Sequence, residues 1–340
     1  MRDPRLFASL TATLTVLSLG LAACGGDEGG SEEESDALAT MPEEEAETWP
    51  LTGLEVEKGH SALDRPVLVA KMDNTEASAP QQGLGAADLV VEELVEGGVT
   101  RLAAFYYSEL PSDPIGPVRS MRASDIGIVA PADGTMVTSG AAGVTINRVK
   151  DAGIQYYAEG GPGFFREDSR SAPYNLFTDL DKVADAASDG EEERPEDYLP
   201  WGSADDLPKG QPARTVSADF GSHTTSWAFQ GGQYVNQNSF AAQGDEFQAD
   251  NVLVLRVEVG DAGYLDPAGN TVPETLFEKG EGEALLFHGG NLVRGTWSKD
   301  GVDSPIRLST KQGELTVPAG HTWIELVPVD SANGSVTFGK

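Results

Sequence analysis

Beyond residue 60 the chain alternates short apolar runs with glycine, proline and acidic punctuation, a pattern of short strands and small helices. The run PVLVAKM at 66–72 reads as a buried strand ending at Asp73-Asn74. Residues 88–96 and 99–108 flank Gly97-Gly98, a pair that accepts positive φ, and the β-branched and aromatic second arm favours a hairpin over a helix from 86 to 96. Ser120 reads as the cap of a helix running to about Ala130, followed by a short strand at 135–139, a helix at 141–152 stopped by Gly153, and a helix from Thr178 to Ala187. Residues 252–259 form the strongest later strand signal. The runs 284–288 and 292–297, around Gly289-Gly290-Asn291, read as a hairpin, and 314–317 with 322–327 as a second pair. Trp227, Trp297 and Trp323 fall in alternating runs and read as core residues; His288 and His321 sit at turn edges. No internal repeat is evident.

This pattern predicts an α+β protein: a mixed α/β N-terminal domain over 50–187, a linker over 188–212 rich in acids and proline, and a mostly β C-terminal domain over 213–330. The preceding residues are different in kind. Arg2 and Arg5 lead into an uncharged stretch from Leu6 to Ala23, too short for a comfortable membrane span, which ends Leu21-Ala22-Ala23-Cys24. Residues 1–23 thus read as a signal peptide, and Cys24, the sole cysteine, as the lipidated residue of a bacterial lipobox. Two or more acyl chains hold stably where one is marginal, so everything after Cys24 is expected at the extracytoplasmic face of the cell membrane. Residues 24–49 carry ten acids and no Lys or Arg, too little apolar content to offset ordering entropy, and read as a disordered tether.

Charge narrows the chemistry. The 340 residues carry 55 acids against 23 Lys plus Arg, a formal charge of −32, which repels nucleic acid and argues against it as a partner. One cysteine and four scattered histidines exclude multi-cysteine zinc or iron–sulfur sites, and no metal or cofactor is expected. The acidity is uneven, however. From Arg101 to Arg170 lie Arg101, Arg119, Arg122, Arg148, Arg166, Arg170 and Lys150 against eight acids. Arg119 and Arg122 fall at the expected start of a helix, where free N–H groups already favour an anion. The arginines therefore form either an anion pocket, for which planar guanidinium forks suit carboxylate or phosphate, or an ion-pair network with Asp73, Glu92, Glu93 and Glu96.

No nucleophile constellation accompanies them. There is no G-x-S-x-G elbow, Ser120 and Ser139 have no histidine nearby in sequence, and Gly160-Gly161-Pro162-Gly163 lacks the Lys-Ser/Thr of a phosphate-binding P-loop. No catalytic residue is assigned. The alternative that remains is a hydrolase of envelope polysaccharide, using paired carboxylates from Asp73 with Glu92 or Glu93.

Several strings in order carry a resemblance: PVLVAKMDN at 66–74, APQ at 79–81, ELVEGGVTR at 93–101, IGPVRSMR at 115–122, RSAPYNLF at 170–177, then residues 282–297 and PAGHTWIELVP at 318–328. Together they resemble the YerB-like bacterial lipoprotein family. The resemblance implies a two-domain extracytoplasmic lipoprotein of uncharacterised activity, linked to the wall-synthesis machinery. The arginine-rich stretch and the absence of a nucleophile constellation make the expected role a binding or scaffold module for an anionic wall component or a protein partner. The resemblance places the recurring polar positions on Asp73, Asn74, Glu93, Arg101, Arg119, Arg122, Arg170 and Asn175. Tyr174 and Thr138 stand where relatives often carry histidine, which puts histidine-dependent chemistry in doubt for this chain.

Overall fold

A 12-stranded sheet runs through the molecule and takes strands from both halves of the sequence. The computed structural model describes residues 47–340 apart from 191–192 and 267–268. The expected signal peptide, Cys24 and most of the acidic tether lie outside the described residues. The N-terminal half contributes β1 (Leu68–Asn74), β2 (Leu89–Leu94), β3 (Thr100–Tyr106), β4 (Thr135–Val137) and β5 (Tyr156–Tyr157). Its helices are α1 (Asp125–Val129), α2 (Gly143–Asp151) and α3 (Leu180–Ala187). Later come β6 (Thr215–Asp219), β7 (Thr224–Gln230), β8 (Gln233–Asn236), β9 (Asn251–Val257), β10 (Gly280–His288), β11 (Asn291–Lys299), β12 (Arg307–Thr310), β13 (Gly313–Glu314), β14 (Thr322–Pro328) and β15 (Ser335–Gly339). The sheet order is β13-β12-β11-β10-β9-β14-β2-β3-β1-β4-β5. Strands dominate and helices are few, so the α+β expectation holds only loosely.

The strand β14 joins the two halves. It lies parallel to β9 on one side and to β2 on the other, with Ile324 opposite both Leu253 and Val91. All seven of its residues are buried, as a strand covered on both faces requires. The expected pairing of 314–317 with 322–327 does not occur. Gly313–Glu314 pairs with β12 instead, and Val317–Pro318 runs parallel to Trp201–Gly202. A wholly apolar run does not announce its neighbours, and β14 finds them far away in sequence. The 188–212 segment is also structured at its end, where Gln211–Pro212 pairs with β11.

Two cores follow from the two faces. On one, Val69, Val91, Phe105, Leu253 and Ile324 pack beneath α1 and Tyr198. On the other, Val90, Tyr106, Val252 and Phe287 pack against the smaller sheet β8-β7-β6-β15 and against Leu180 and Val183 of α3. Trp227 and Trp323 meet edge to face at 5.1 Å in this second core, a geometry that suits aromatic quadrupoles. The tryptophans are core residues, as their alternating surroundings imply: Trp297 is also buried.

The hairpin β2–β3 pairs antiparallel across Glu96, Gly97 and Gly98, with both glycines at positive φ. The helix expected from Ser120 is much shorter and begins at Asp125. Residues before it run extended along the end of β1 that β4 does not reach. Asp73 N donates to Pro117 O and Arg119 N to Lys71 O, so this segment completes the hydrogen bonding of β1 and cannot be helical. Arg119 and Arg122 therefore precede the helix; they do not occupy its first turn. The Asp125 carboxylate instead accepts from Arg122 N at 2.6 Å, fixing where the helix starts. α3 is capped by Asp179, one residue after Thr178, with the side chain accepting from Lys182 N.

Buried charge sits at one end of the sheet on both faces. On the α1 face, Lys71 is fully buried and its Nζ donates to Glu93 Oε1 at 2.5 Å and Asp125 Oδ1 at 2.7 Å. On the opposite face, Glu92 accepts from Asn74, Thr100 and Thr225, with His223 Nε2 at 3.4 Å. Glu325 of β14 faces the same way and accepts from Trp227 Nε1 at 2.8 Å. Burial, reinforced by the Glu92 charge, raises Glu325 well above the usual carboxylate range. Glu92 is held below its ordinary value despite burial, chiefly through His223. The two acids of the pair are thus pushed in opposite directions, Glu325 toward its protonated form and Glu92 toward its ionised one.

Two predictions follow from this charge burial. Lys71→Met removes the shared cation from Glu93 and Asp125 and should destabilise by about 3–5 kcal/mol in chemical denaturation; a loss below about 1 kcal/mol would contradict the pairing. Glu325 binds its proton more tightly folded than unfolded, so its contribution to stability declines as pH rises from its unfolded value of 4.5 toward the raised folded one. Glu325→Gln keeps an acceptor for Trp227 and abolishes the titration. Its stability at neutral pH should equal or exceed that of the parent, with a flatter pH dependence; a loss of more than about 2 kcal/mol at neutral pH would contradict a protonated Glu325.

Candidate functional site

Alternation along the strands sorts the candidate residues by face. Lys71 and Asp73 of β1, Glu93 of β2 and Arg101 of β3 share the α1 face. In the register, Arg101 lies opposite Asp73 on one neighbour and Glu93 on the other. Asn74 projects to the opposite face and joins Glu92, donating to it at 3.0 Å. The extended segment after Pro117 then brings Arg119 and Arg122 alongside Arg101. Asp73, Glu93, Arg101, Arg119 and Arg122 therefore gather at one place, and Asn74 does not join them.

The ion pairs are unequal. Arg119 Nη1 donates to Asp73 Oδ2 at 2.6 Å, and its guanidinium lies over the Tyr174 ring, 5.0 Å from the centroid. Arg122 closes its fork on Glu96 through Nε and Nη2. Burial opposes the Arg122 charge, but Glu96 raises its pKa, while Arg122 holds Glu96 below the carboxylate range against the same burial. Glu93 is taken by Lys71. Arg101 is left over: 7 % exposed, it has one hydrogen bond, from Nη1 to Ser120 O at 2.7 Å, and no carboxylate within ion-pair distance among the described residues. Burial first, then repulsion from Arg122 and Arg119, pushes its pKa down to about 10. It remains charged at neutral pH.

Arg170 and Asn175 lie in the loop beside this cluster and are engaged there. Arg170 donates to Ser78 O and Pro80 O and stacks on Phe177; Asn175 accepts from Arg166, which also pairs with Glu159. The paired-carboxylate arrangement has no free acid in it. Asp73 is held by Arg119, Glu93 by Lys71, and Glu92 lies on the other face beneath Thr225 and His223. Tyr174, noticed in the sequence only as a departure, is the ring that supports Arg119. Thr138, the other departure, is fully buried and accepts from Met121 N and Gly140 N.

Sequence reasoning missed Lys71, the cation that pairs with Glu93, and Asp125, the second acid that shares it. A lysine inside an otherwise apolar strand run was the available signal. It also missed a cleft of about 490 Å³ beside the cluster, lined by Glu96, Ser120, Arg122, Ser139, Ala141 and Ala142 among others. Ser120 connects this cleft to Arg101, since its carbonyl accepts from Arg101 and, at 3.4 Å, from Arg122. Among the described residues no group of His, Cys, Asp and Glu has the disposition of a metal site, and no helix is long and apolar enough to cross a membrane.

Comparison with known proteins gives a consistent picture. Residues 51–193 match the family model described as the N-terminal domain of a protein of unknown function (DUF3048), and residues 215–324 match that of its C-terminal domain. YerB of Bacillus subtilis (strain 168), which is named as a lipoprotein, is 28 % identical over 306 residues, spanning 86 % of this chain and 89 % of that protein. A crystal structure of the Bacillus subtilis YerB protein superposes with a TM-score of 0.70 and 23 % identity, covering 85 % of this chain and 99 % of the other. The shared fold thus extends through both halves of the great sheet.

The cluster geometry makes a stability prediction. Arg122→Ala strips Glu96 of its partner while leaving a half-buried acid, and should cost about 1–3 kcal/mol in thermal or chemical denaturation. A variant as stable as the parent would contradict the pairing.

Proposed function

The chain belongs to the DUF3048 family, and from that premise we propose that it is a lipid-anchored lipoprotein of the cell envelope that binds an anionic ligand at its arginine cluster. The anchor reading rests on the N-terminal sequence ending at Cys24 and on the lipoprotein name of the Bacillus relative. The ligand is an anionic wall component or an acidic partner of the wall-synthesis machinery. The site comprises Asp73, Glu93, Arg101, Arg119 and Arg122 on one face of the sheet, with Arg170 and Asn175 ordering the loop beside it.

One observation carries the binding reading. Arg101 is buried without a counter-ion, between two other arginines, in a chain whose formal charge is −32. Acidic residues are plentiful, and Asp73 and Glu93 lie directly across the register, yet both are committed elsewhere. An uncompensated buried guanidinium is costly to keep, and a ligand anion would supply what the fold withholds. The hydrolase alternative lacks such support, because each carboxylate it needs is already neutralised or buried on the other face.

Arg101→Met tests this directly. Loss of an unpaired charge should leave the unfolding free energy unchanged or raise it by about 1 kcal/mol, while binding to purified anionic wall polymer falls by roughly tenfold or more. A destabilised variant with undiminished binding would mean that Arg101 serves the fold alone. For the anchor, Cys24→Ser should move the full-length protein from the membrane to the soluble extracytoplasmic fraction and abolish the acyl mass increment; continued membrane retention would contradict lipidation at this residue.

A further inference from the structure

We propose that Lys71 and Asp125 are the two halves of an intramolecular isopeptide bond, closed inside the protein with Glu93 relaying the protons. The three side chains come from three elements: Lys71 from the middle of β1, Glu93 from β2 and Asp125 from the first position of α1. They meet in the core, and none is more than 1 % exposed. Lys71 Nζ lies 2.7 Å from Asp125 Oδ1 and 2.5 Å from Glu93 Oε1, so an amine and two carboxyl groups are already in contact. Such contact supplies the proximity that amide condensation lacks in water.

An ion pair alone does not account for this arrangement. Two carboxyl groups share one ammonium away from solvent, where replacing charges by apolar side chains is commonly neutral or stabilising. Glu93 Oε2 is buried with no hydrogen-bond partner among the described residues. Burial, with the Asp125 charge adding to it, raises the Glu93 pKa against the pull of Lys71. A carboxyl group in that condition can take up a proton and give it back. On the same face lie Val69, two residues before Lys71, and Ala103, directly across the register, both wholly buried. Their burial keeps water from reversing the bond.

The step is a dehydration with no change of oxidation state. The Lys71 ammonium passes a proton to Glu93, and the freed Nζ lone pair forms an N–C bond to Asp125 Cγ. Asp125 Oδ2 already accepts from Arg122 N at 2.6 Å, and this main-chain donor stabilises the oxyanion of the tetrahedral intermediate. The Cγ–Oδ1 bond then breaks. Oδ1 leaves as water with the proton that Glu93 held and a second one from Nζ, and Glu93 ends as it began. An ammonium and a carboxylate become one neutral amide and one water, so two charges disappear from the core. With Cys24 as the sole cysteine, no disulfide can form within the chain. The amide supplies a cross-link between residues 54 apart in sequence and ties β1 to α1 across the extended segment that carries Arg119 and Arg122.

The test is peptide mass spectrometry on the full-length protein, purified folded in detergent and then digested. The expected product is a branched peptide joining the segments around Lys71 and Asp125, lighter than their sum by the mass of one water. It should be absent from Lys71→Arg, which keeps a cation but has no amine to condense. Its yield should fall about tenfold or more in Glu93→Gln, which keeps the shape of the side chain and leaves Lys71 paired with Asp125. Asp125→Asn should form the same amide with loss of ammonia in place of water, a signature that no ion pair produces. Cooperative thermal unfolding establishes that each variant is folded. Only unbranched Lys71 and Asp125 peptides, from parent protein that unfolds cooperatively, would overturn the proposal. A branched peptide of undiminished yield in Glu93→Gln would overturn the relay by Glu93.

Discussion

A charge removed from water must be compensated where it lies, and this constraint organises the end of the sheet where β1, β2 and β3 meet. Lys71, Glu93, Asp125, Glu92 and Glu325 are all but inaccessible to solvent. In a medium of low effective dielectric each needs a partner or a proton. Lys71 answers Glu93 and Asp125, Arg119 answers Asp73, Arg122 answers Glu96, and burial, with the Glu92 charge beside it, pushes Glu325 toward its protonated form. Against that background Arg101 is conspicuous because no carboxylate among the described residues lies within ion-pair distance of it.

The same arrangement links fold to site. β14 inserts between β2 and β9, so the C-terminal half holds the strand whose loop presents Glu96 and, through Glu93, anchors Lys71. The smaller sheet covers the opposite face with Thr225, His223 and Trp227, sealing Glu92 and Glu325 from solvent. The two halves matched by separate family models therefore share responsibility for one cluster. Disturbing either should be felt at the arginines.

Much of the local structure was legible in the sequence. The hairpin at 88–108 was marked by two glycines between alternating arms, and the hairpin at 284–297 likewise, because turn chemistry and period are local signals. The tryptophans declared themselves as core. What failed was non-local. The run TWIELVP gives no hint that its neighbours are β2 and β9, and the residues after Pro117 look helical until the unpaired end of β1 claims their backbone. For the site, the arginine-rich stretch was visible, but the division of labour was not. Only the register shows that Arg119 and Arg122 are paired, that Asn74 faces away, and that Arg101 is the one left over.

The most direct measurement of the central claim is the ¹⁵N resonance of the Arg101 Nε–H group in full-length protein, followed while anions are added. An uncompensated guanidinium beside a ligand site should show a saturable shift and slower exchange with solvent as the anion binds, while the Lys71 Nζ signal stays fixed. An Arg101 signal that remains unchanged while anions bind elsewhere on the protein would contradict the account.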